Sequence, residues 1–216
     1  DGTQCSWGEG SWCEDPCAGV GAAQPPPDNR FGIGLVGPGD DNQLNLVKEL
    51  TGSGGHALLI FPGVQVTTTG PDPSWVAAVQ GVYARDLVPV IRLGPPWGEA
   101  ELRAQSDDPS HLGYEALADA YRAVVEGLPK KDGTPLYIQV HNEPNLCYEW
   151  ECSGGGSIDS TTIAAEYASF LRDVADALHG LGDPRVQVSL GALAPGGNVS
   201  CECCAESWCD AQPGET

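Results

Sequence analysis

Between Phe31 and Leu190, five short apolar runs alternate with four amphipathic stretches. That alternation restricts the fold more than any other property of the chain. The runs are Phe31–Val36, Ala57–Phe61, Leu87–Leu93, Leu136–Val140 and Val186–Leu190. Each is nearly continuous in apolar residues and bounded by turn formers, as strands buried on both faces are. Helical spacing fills the gaps. It predicts a helix over Asp41–Leu50 with Leu44, Val47 and Leu50 on one face, and a second over Ser74–Arg85 with Ser74 as N-cap. In that second helix Trp75, Val76, Val79, Val82 and Tyr83 are the apolar positions. A third covers Tyr114–Leu128, with Leu117, Tyr121, Val124, Val125 and Leu128 inward. A fourth covers Thr161–Leu178, with Ile163, Tyr167, Phe170, Leu171, Val174 and Leu178 in one stripe. The order β-α-β-α-β-α-β-α-β predicts an α/β fold with a parallel sheet covered by helices. Two architectures satisfy it: an open doubly wound sheet, or a (β/α)8 barrel of which this chain supplies about five units.

The 216 residues suit one sizeable domain, and a hydrophobic share of 41% is enough to build a core. Residues 1–29 lack periodicity and carry the turn-rich Gln24-Pro25-Pro26-Pro27-Asp28, so they read as a Cys-rich arm stapled onto the domain. Residues 30–216 then form the partial barrel and end in a Cys-rich loop. The formal charge is −20, with only 10 Lys and Arg. Such a surface repels nucleic acid and anionic membranes, and it suits a neutral ligand such as a glycan, or cations. Acidity for solubility alone is the plainer explanation. No run approaches the roughly 18 apolar residues of a membrane span. The chain opens at Asp1 without a basic or apolar leader and contains no Met, so the expectation is a mature, secreted protein whose signal peptide has been removed.

Nine cysteines support that expectation: Cys5, Cys13, Cys17, Cys147, Cys152, Cys201, Cys203, Cys204 and Cys209. They fall in the arm and in two loops and never inside a predicted helix or strand, which suits disulfides in an oxidising compartment. Cys147 and Cys152 are expected to bond each other or the 201–209 cluster, and the arm to supply at least one more bridge. Zinc would have to use Cys201-Glu202-Cys203-Cys204 with Cys209, which lacks paired ligand spacing, so no metal is expected. An odd count leaves one thiol free or bonded to another chain.

Gly32-Ile33-Gly34-Leu35-Val36-Gly37 has the glycine spacing of a dinucleotide loop. The glycines lie inside the first strand, though, whereas such a loop follows a strand and opens a helix. Pro38-Gly39-Asp40 delays the helix, Ile60-Phe61-Pro62 ends the second strand without an acid for a ribose, and Asp40 and Asp41 would repel a pyrophosphate. No nucleotide and no other cofactor is expected.

The candidate site is His141-Asn142-Glu143-Pro144-Asn145, directly after the fourth strand. In parallel α/β folds the C-terminal edge of the sheet is where chemistry gathers. Pro144 should bias Glu143 away from helical angles, although Asn-Glu-Pro can also be a plain turn. Arg92-Leu93-Gly94-Pro95-Pro96-Trp97 runs off the third strand. Arg92 can hold a carboxylate ionised, and Trp97 offers a flat apolar face to a sugar ring. The alternatives are an Arg bonded to strand-end carbonyls and a Trp packed on the arm. His141 and Trp150, on either side of Glu143, complete the candidate substrate-binding set.

On these residues the chain resembles the first five β/α units of the clan A retaining glycoside hydrolases, the large group of TIM-barrel glycosidases. The resemblance covers residues 30–195 in pattern and Asn142-Glu143-Pro144 in specific motif. It implies that Glu143 is the acid/base of β-glycoside hydrolysis in an extracellular polysaccharide. It also implies that Asn142 binds the sugar 2-hydroxyl and that Arg92 is an active-site arginine. The clan's nucleophile is a second glutamate after strand seven, and no residue here occupies that position: Glu149 and Glu151 lie in the loop behind Glu143, and Glu202 and Glu206 lie in the tail. A second polypeptide or a further C-terminal half is therefore expected to complete the barrel. The alternative function is a non-catalytic carbohydrate-binding or structural extracellular protein on a degenerate barrel.

Overall fold

The computed structural model of the chain describes residues 28–95, 102–146, 149 and 160–194. Its elements are β1 (Gly32–Gly34), α1 (Asp41–Thr51), β2 (His56–Pro62), α2 (Pro73–Ala84), β3 (Val88–Gly94), a 3-10 turn at Arg103–Gln105, α3 (Glu115–Gly127), β4 (Leu136–Val140), α4 (Ser160–His179) and β5 (Val186–Leu190). The strands form one all-parallel sheet in the order β1-β2-β3-β4-β5. Among the described residues β1 lies at an edge and the strand order does not reverse, which counts against the doubly wound alternative. The arm expected over residues 1–29 lies outside the described residues except for Asp28 and Asn29. Asn29 Nδ2 donates to the carbonyls of Thr51 (2.7 Å) and Ser53 (2.9 Å), tying the entry to β1 to the end of α1.

Right-handed crossovers in a sequential sheet carry every helix to the same side. In keeping with this, all four helices share one buried cluster with one set of strand positions: Ala57, Leu59 and Phe61 of β2, Ile91 and Leu93 of β3, Leu136, Ile138 and Val140 of β4, and Val186 of β5. Phe170 of α4 is fully buried and meets Tyr114 and Tyr121 edge-on, at 5.4 and 5.6 Å between ring centres. The alternate strand positions, among them Leu58, Ile60, Val90 and Tyr137, are half-buried on the opposite face. His56 and Tyr137 approach there to 5.9 Å across β3.

The helix ends follow local chemistry. Asp40 Oδ1 accepts from Gln43 N (2.8 Å) and Gln43 Oε1 from Asp40 N (3.0 Å), a reciprocal cap that starts α1. Ser74 was expected to cap α2, but Asp72 does so, accepting from Ser74 N at 2.7 Å. Pro73 takes the first helical position because it has no N–H to satisfy. Two further expectations are corrected. Leu50 is exposed rather than inward, and α1 buries only Leu44 and Val47. The first strand is only three residues long, because glycines at 32 and 34 leave little side chain to pack and β1 pairs on one side only.

Candidate functional site

β3 and β4 are neighbours, with Arg92 opposite Gln139 and Leu93 opposite Val140. Arg92 therefore stands on the face away from the helices, close to where both strands end. Asn142 lies two residues beyond β4, and its Oδ1 accepts from Arg92 Nη1 at 2.6 Å. A guanidinium only donates, so this contact fixes which end of the amide is oxygen. Nδ2 is thereby turned to two carboxylates: Glu149 Oε1 at 2.8 Å and Glu143 Oε2 at 3.3 Å. Of the candidates named from the sequence, Arg92, Asn142 and Glu143 are brought together.

The backbone here is unusual. His141 has φ +69 and Glu143 φ +36, left-handed values that L side chains rarely adopt. Pro144 does keep Glu143 out of the right-handed helical region, but the residue turns left-handed rather than extended. Strict strand alternation would have put His141 on Gln139's face, with Arg92. The left-handed turn breaks the alternation and sends the ring to the helix side, where it meets Phe170 edge-on at 6.3 Å. His141 is wholly buried. Burial pushes its pKa down to about 4, with the Arg92 charge adding to the effect and the bond to the Glu149 carbonyl opposing it. A neutral ring whose Nε2 lies 3.2 Å from Glu149 O carries its proton on that nitrogen and donates it. His141 was read as a substrate-binding residue; it lies beneath the site and holds the loop that bears Glu149.

Several contacts lock the ends of β4 and β5 together. Tyr167 of α4 donates from its hydroxyl to Val140 O (3.0 Å) and accepts from Gly191 N (2.6 Å). Asn145 exchanges two bonds with the backbone of Ala194, at 3.0 and 2.8 Å. Gly191 has to be glycine, since a Cβ there would sit 2.9 Å from the carbonyl oxygens of both Val140 and His141. The loops after the fourth and fifth strands are thus adjacent as far as they are described.

Glu149 was not assigned a role from the sequence, and no periodic signal marks it. Two backbone bonds accompany its approach to the site, Leu146 N to Glu143 O (2.8 Å) and Glu149 N to Leu146 O (3.1 Å). Burial pushes its carboxyl above the ordinary glutamate range. The Glu143 carboxylate adds to this, and the Asn142 hydrogen bond and the Arg92 charge oppose it.

Trp97, Trp150 and all nine cysteines, with the disulfides expected of them, lie outside the described residues. Among the described residues no cluster of His, Cys, Asp and Glu could hold a metal ion, and no helix is long and apolar enough to cross a membrane. An open hollow of about 600 Å³ lies at the opposite end of the sheet, before β5. Its charges are satisfied internally: Arg185 bonds Asp132 and Asp183, each at 2.8 Å. Comparison with known proteins adds no relative: no family model, no curated protein and no solved structure matches the chain.

Proposed function

We propose that the chain is the first five β/α units of a TIM-barrel glycosidase of the clan A retaining kind, secreted and acting on β-linked polysaccharide with Glu143 as acid/base. One observation carries the reading: Asn142, just past the fourth strand, joins Arg92 of the third strand to Glu143, at 2.6 and 3.3 Å. A plain turn would not need an arginine from the neighbouring strand. The backbone is also left-handed at His141 and Glu143, strain that typically costs about 1–3 kcal/mol per residue and often gathers at functional sites, although Asp86 and His111 adopt it too.

The sequential strand order suits a barrel, in which a curling sheet covers its own inner face. Exposed apolar side chains at both edges support continuation: Phe31 and Val36 beside β1, Leu46 and Leu50 on α1, and Leu190 and Leu193 at β5. Further strands, from this polypeptide or a second one, would cover them.

In the proposed reaction Glu143 gives its proton to the glycosidic oxygen as the bond to the anomeric carbon breaks. A carboxylate from a strand beyond the five, standing about 5–5.5 Å from the Glu143 carboxyl, attacks that carbon from the opposite face of the ring and forms the glycosyl intermediate. Glu143 then takes a proton from the water that hydrolyses the glycosyl intermediate. Asn142 would hold the 2-hydroxyl.

The test is Glu143→Gln in the complete protein, assayed on soluble β-glucans and β-xylans. Turnover should fall about 10²–10⁴-fold while binding persists. Unchanged turnover would make Glu143 a turn residue. Binding with no turnover in the unmutated protein would favour the non-catalytic carbohydrate-binding reading.

A further inference from the structure

Resting on the reading of Glu143 as acid/base, we propose that Glu149 is a positioning residue of this site and acts through Asn142. Glu149 Oε1 takes one Nδ2 proton at 2.8 Å while Arg92 Nη1 holds Oδ1 at 2.6 Å. These contacts grip opposite ends of the amide and forbid its flip. The flipped form would set two donors face to face at Arg92 and press an oxygen against two carboxylates. With one Nδ2 proton committed to Glu149, the second is aimed at Glu143 Oε2, at 3.3 Å. That is the longest of the three contacts, so it is the one a sugar hydroxyl displaces at least cost.

Glu149 is itself delivered by built contacts. Its N–H is bonded to Leu146 O at 3.1 Å, and its carbonyl accepts from buried His141 at 3.2 Å. The charged and titratable groups that face its carboxyl are Arg92 and Glu143, and His141 lies against its backbone. The geometry suits positioning rather than attack. Glu149 and Glu143 share one amide nitrogen and so stand on the same side, whereas a retaining nucleophile faces the acid across the sugar.

The first test needs no substrate and uses side-chain amide NMR on the 216-residue chain. The two Nδ2 protons of Asn142 should be well separated. They should move with pH together with the Glu149 carboxyl carbon, above the ordinary glutamate range of about 4.3. Glu149→Ala should collapse the separation. Glu149→Gln, which keeps an acceptor, should preserve the separation and lose the titration.

The second test measures turnover of aryl β-glucosides and mixed-linkage β-glucan by the complete protein. Glu149→Ala should lower kcat roughly 10- to 100-fold with a smaller change in KM, the size expected of a displaced reacting group. Glu149→Gln should recover most of the loss. Asn142 protons indifferent to pH in the unmutated chain, or unmoved in Glu149→Ala, would overturn the inference whatever happens to turnover. A link that holds in a protein cleaving neither probe supports the positioning and counts against the acid/base reading alone.

Discussion

Acid should loosen the end of β4 through one buried ring. His141 is wholly buried, and its pKa falls from the ordinary 6.5 to about 4. In the unfolded chain the ring takes up a proton near 6.5; in the folded chain it resists until about 4. The depressed value means that its stabilising contribution is fully present above about pH 6.5 and is lost as pH falls toward 4. At about 1.4 kcal/mol per tenfold change in proton affinity, the loss by pH 4 is on the order of 3 kcal/mol, a large part of a typical domain's stability. The rest of the chain also titrates, and its net charge of −20 relaxes as carboxylates protonate, so the effect has to be read as a difference. His141→Gln keeps a donor for the Glu149 carbonyl and cannot ionise. Urea unfolding of both proteins between pH 7 and 4 should show the variant gaining about 3 kcal/mol relative to the parent across that window. The ring should show no NMR titration near 6.5 in the folded protein. A ring that titrates near 6.5, or a stability difference that stays flat with pH, would refute the argument.

Three other changes have expected sizes. Gly191→Ala should cost several kcal/mol in urea unfolding, of the order seen for overpacking, because the new Cβ meets the Val140 and His141 carbonyl oxygens at 2.9 Å and backbone cannot step aside cheaply. Tyr167→Phe removes the hydroxyl that joins Val140 O to Gly191 N; it should cost about 1–3 kcal/mol and speed amide exchange at Gly191. Glu166→Ala strips the carboxylate that Arg103 grips through Nε and Nη2 at 3.0–3.2 Å, and the uncompensated guanidinium should lower stability by about 3 kcal/mol, with Glu166→Gln recovering part of it.

What could be seen in the sequence was whatever repeats with a period. The five strands and four helices announce themselves through apolar spacing, and parallel pairing follows from their alternation. The glycine motif at 32–37 could be set aside on position alone, since it fell within a strand. Arg92, Asn142 and Glu143 were legible because they sit at strand ends, where a fold of this type gathers its chemistry. The rest depended on backbone turns that no periodicity encodes. The left-handed turn at His141 moves one side chain from the open face to the core. Backbone bonds from Leu146 to Glu143 and from Glu149 to Leu146 accompany the return of Glu149 to Asn142, though it lies seven residues further on. Leu50 looked inward by its spacing from Leu44 and Val47 and is exposed in the last turn of α1.

The left-handed backbone at Glu143 makes a test that needs neither substrate nor partner. Truncating a surface residue to glycine is normally worse than truncating it to alanine, by about 0.5–1 kcal/mol, because glycine gives up more freedom on folding. At φ +36 the order should invert. Alanine there keeps the clash between Cβ and the neighbouring carbonyl, about 1–2 kcal/mol for L residues in that region, and glycine escapes it. Both variants lose the same carboxylate and its 3.3 Å contact with Asn142, so their difference reports the backbone alone. Glu143→Gly should therefore be more stable than Glu143→Ala by about 1 kcal/mol in urea unfolding. The usual order, alanine above glycine, would mean that the peptide relaxes from left-handed to extended angles without cost. Strain would then be no reason to single out Glu143, and the case for it would rest on Arg92 and Asn142 alone.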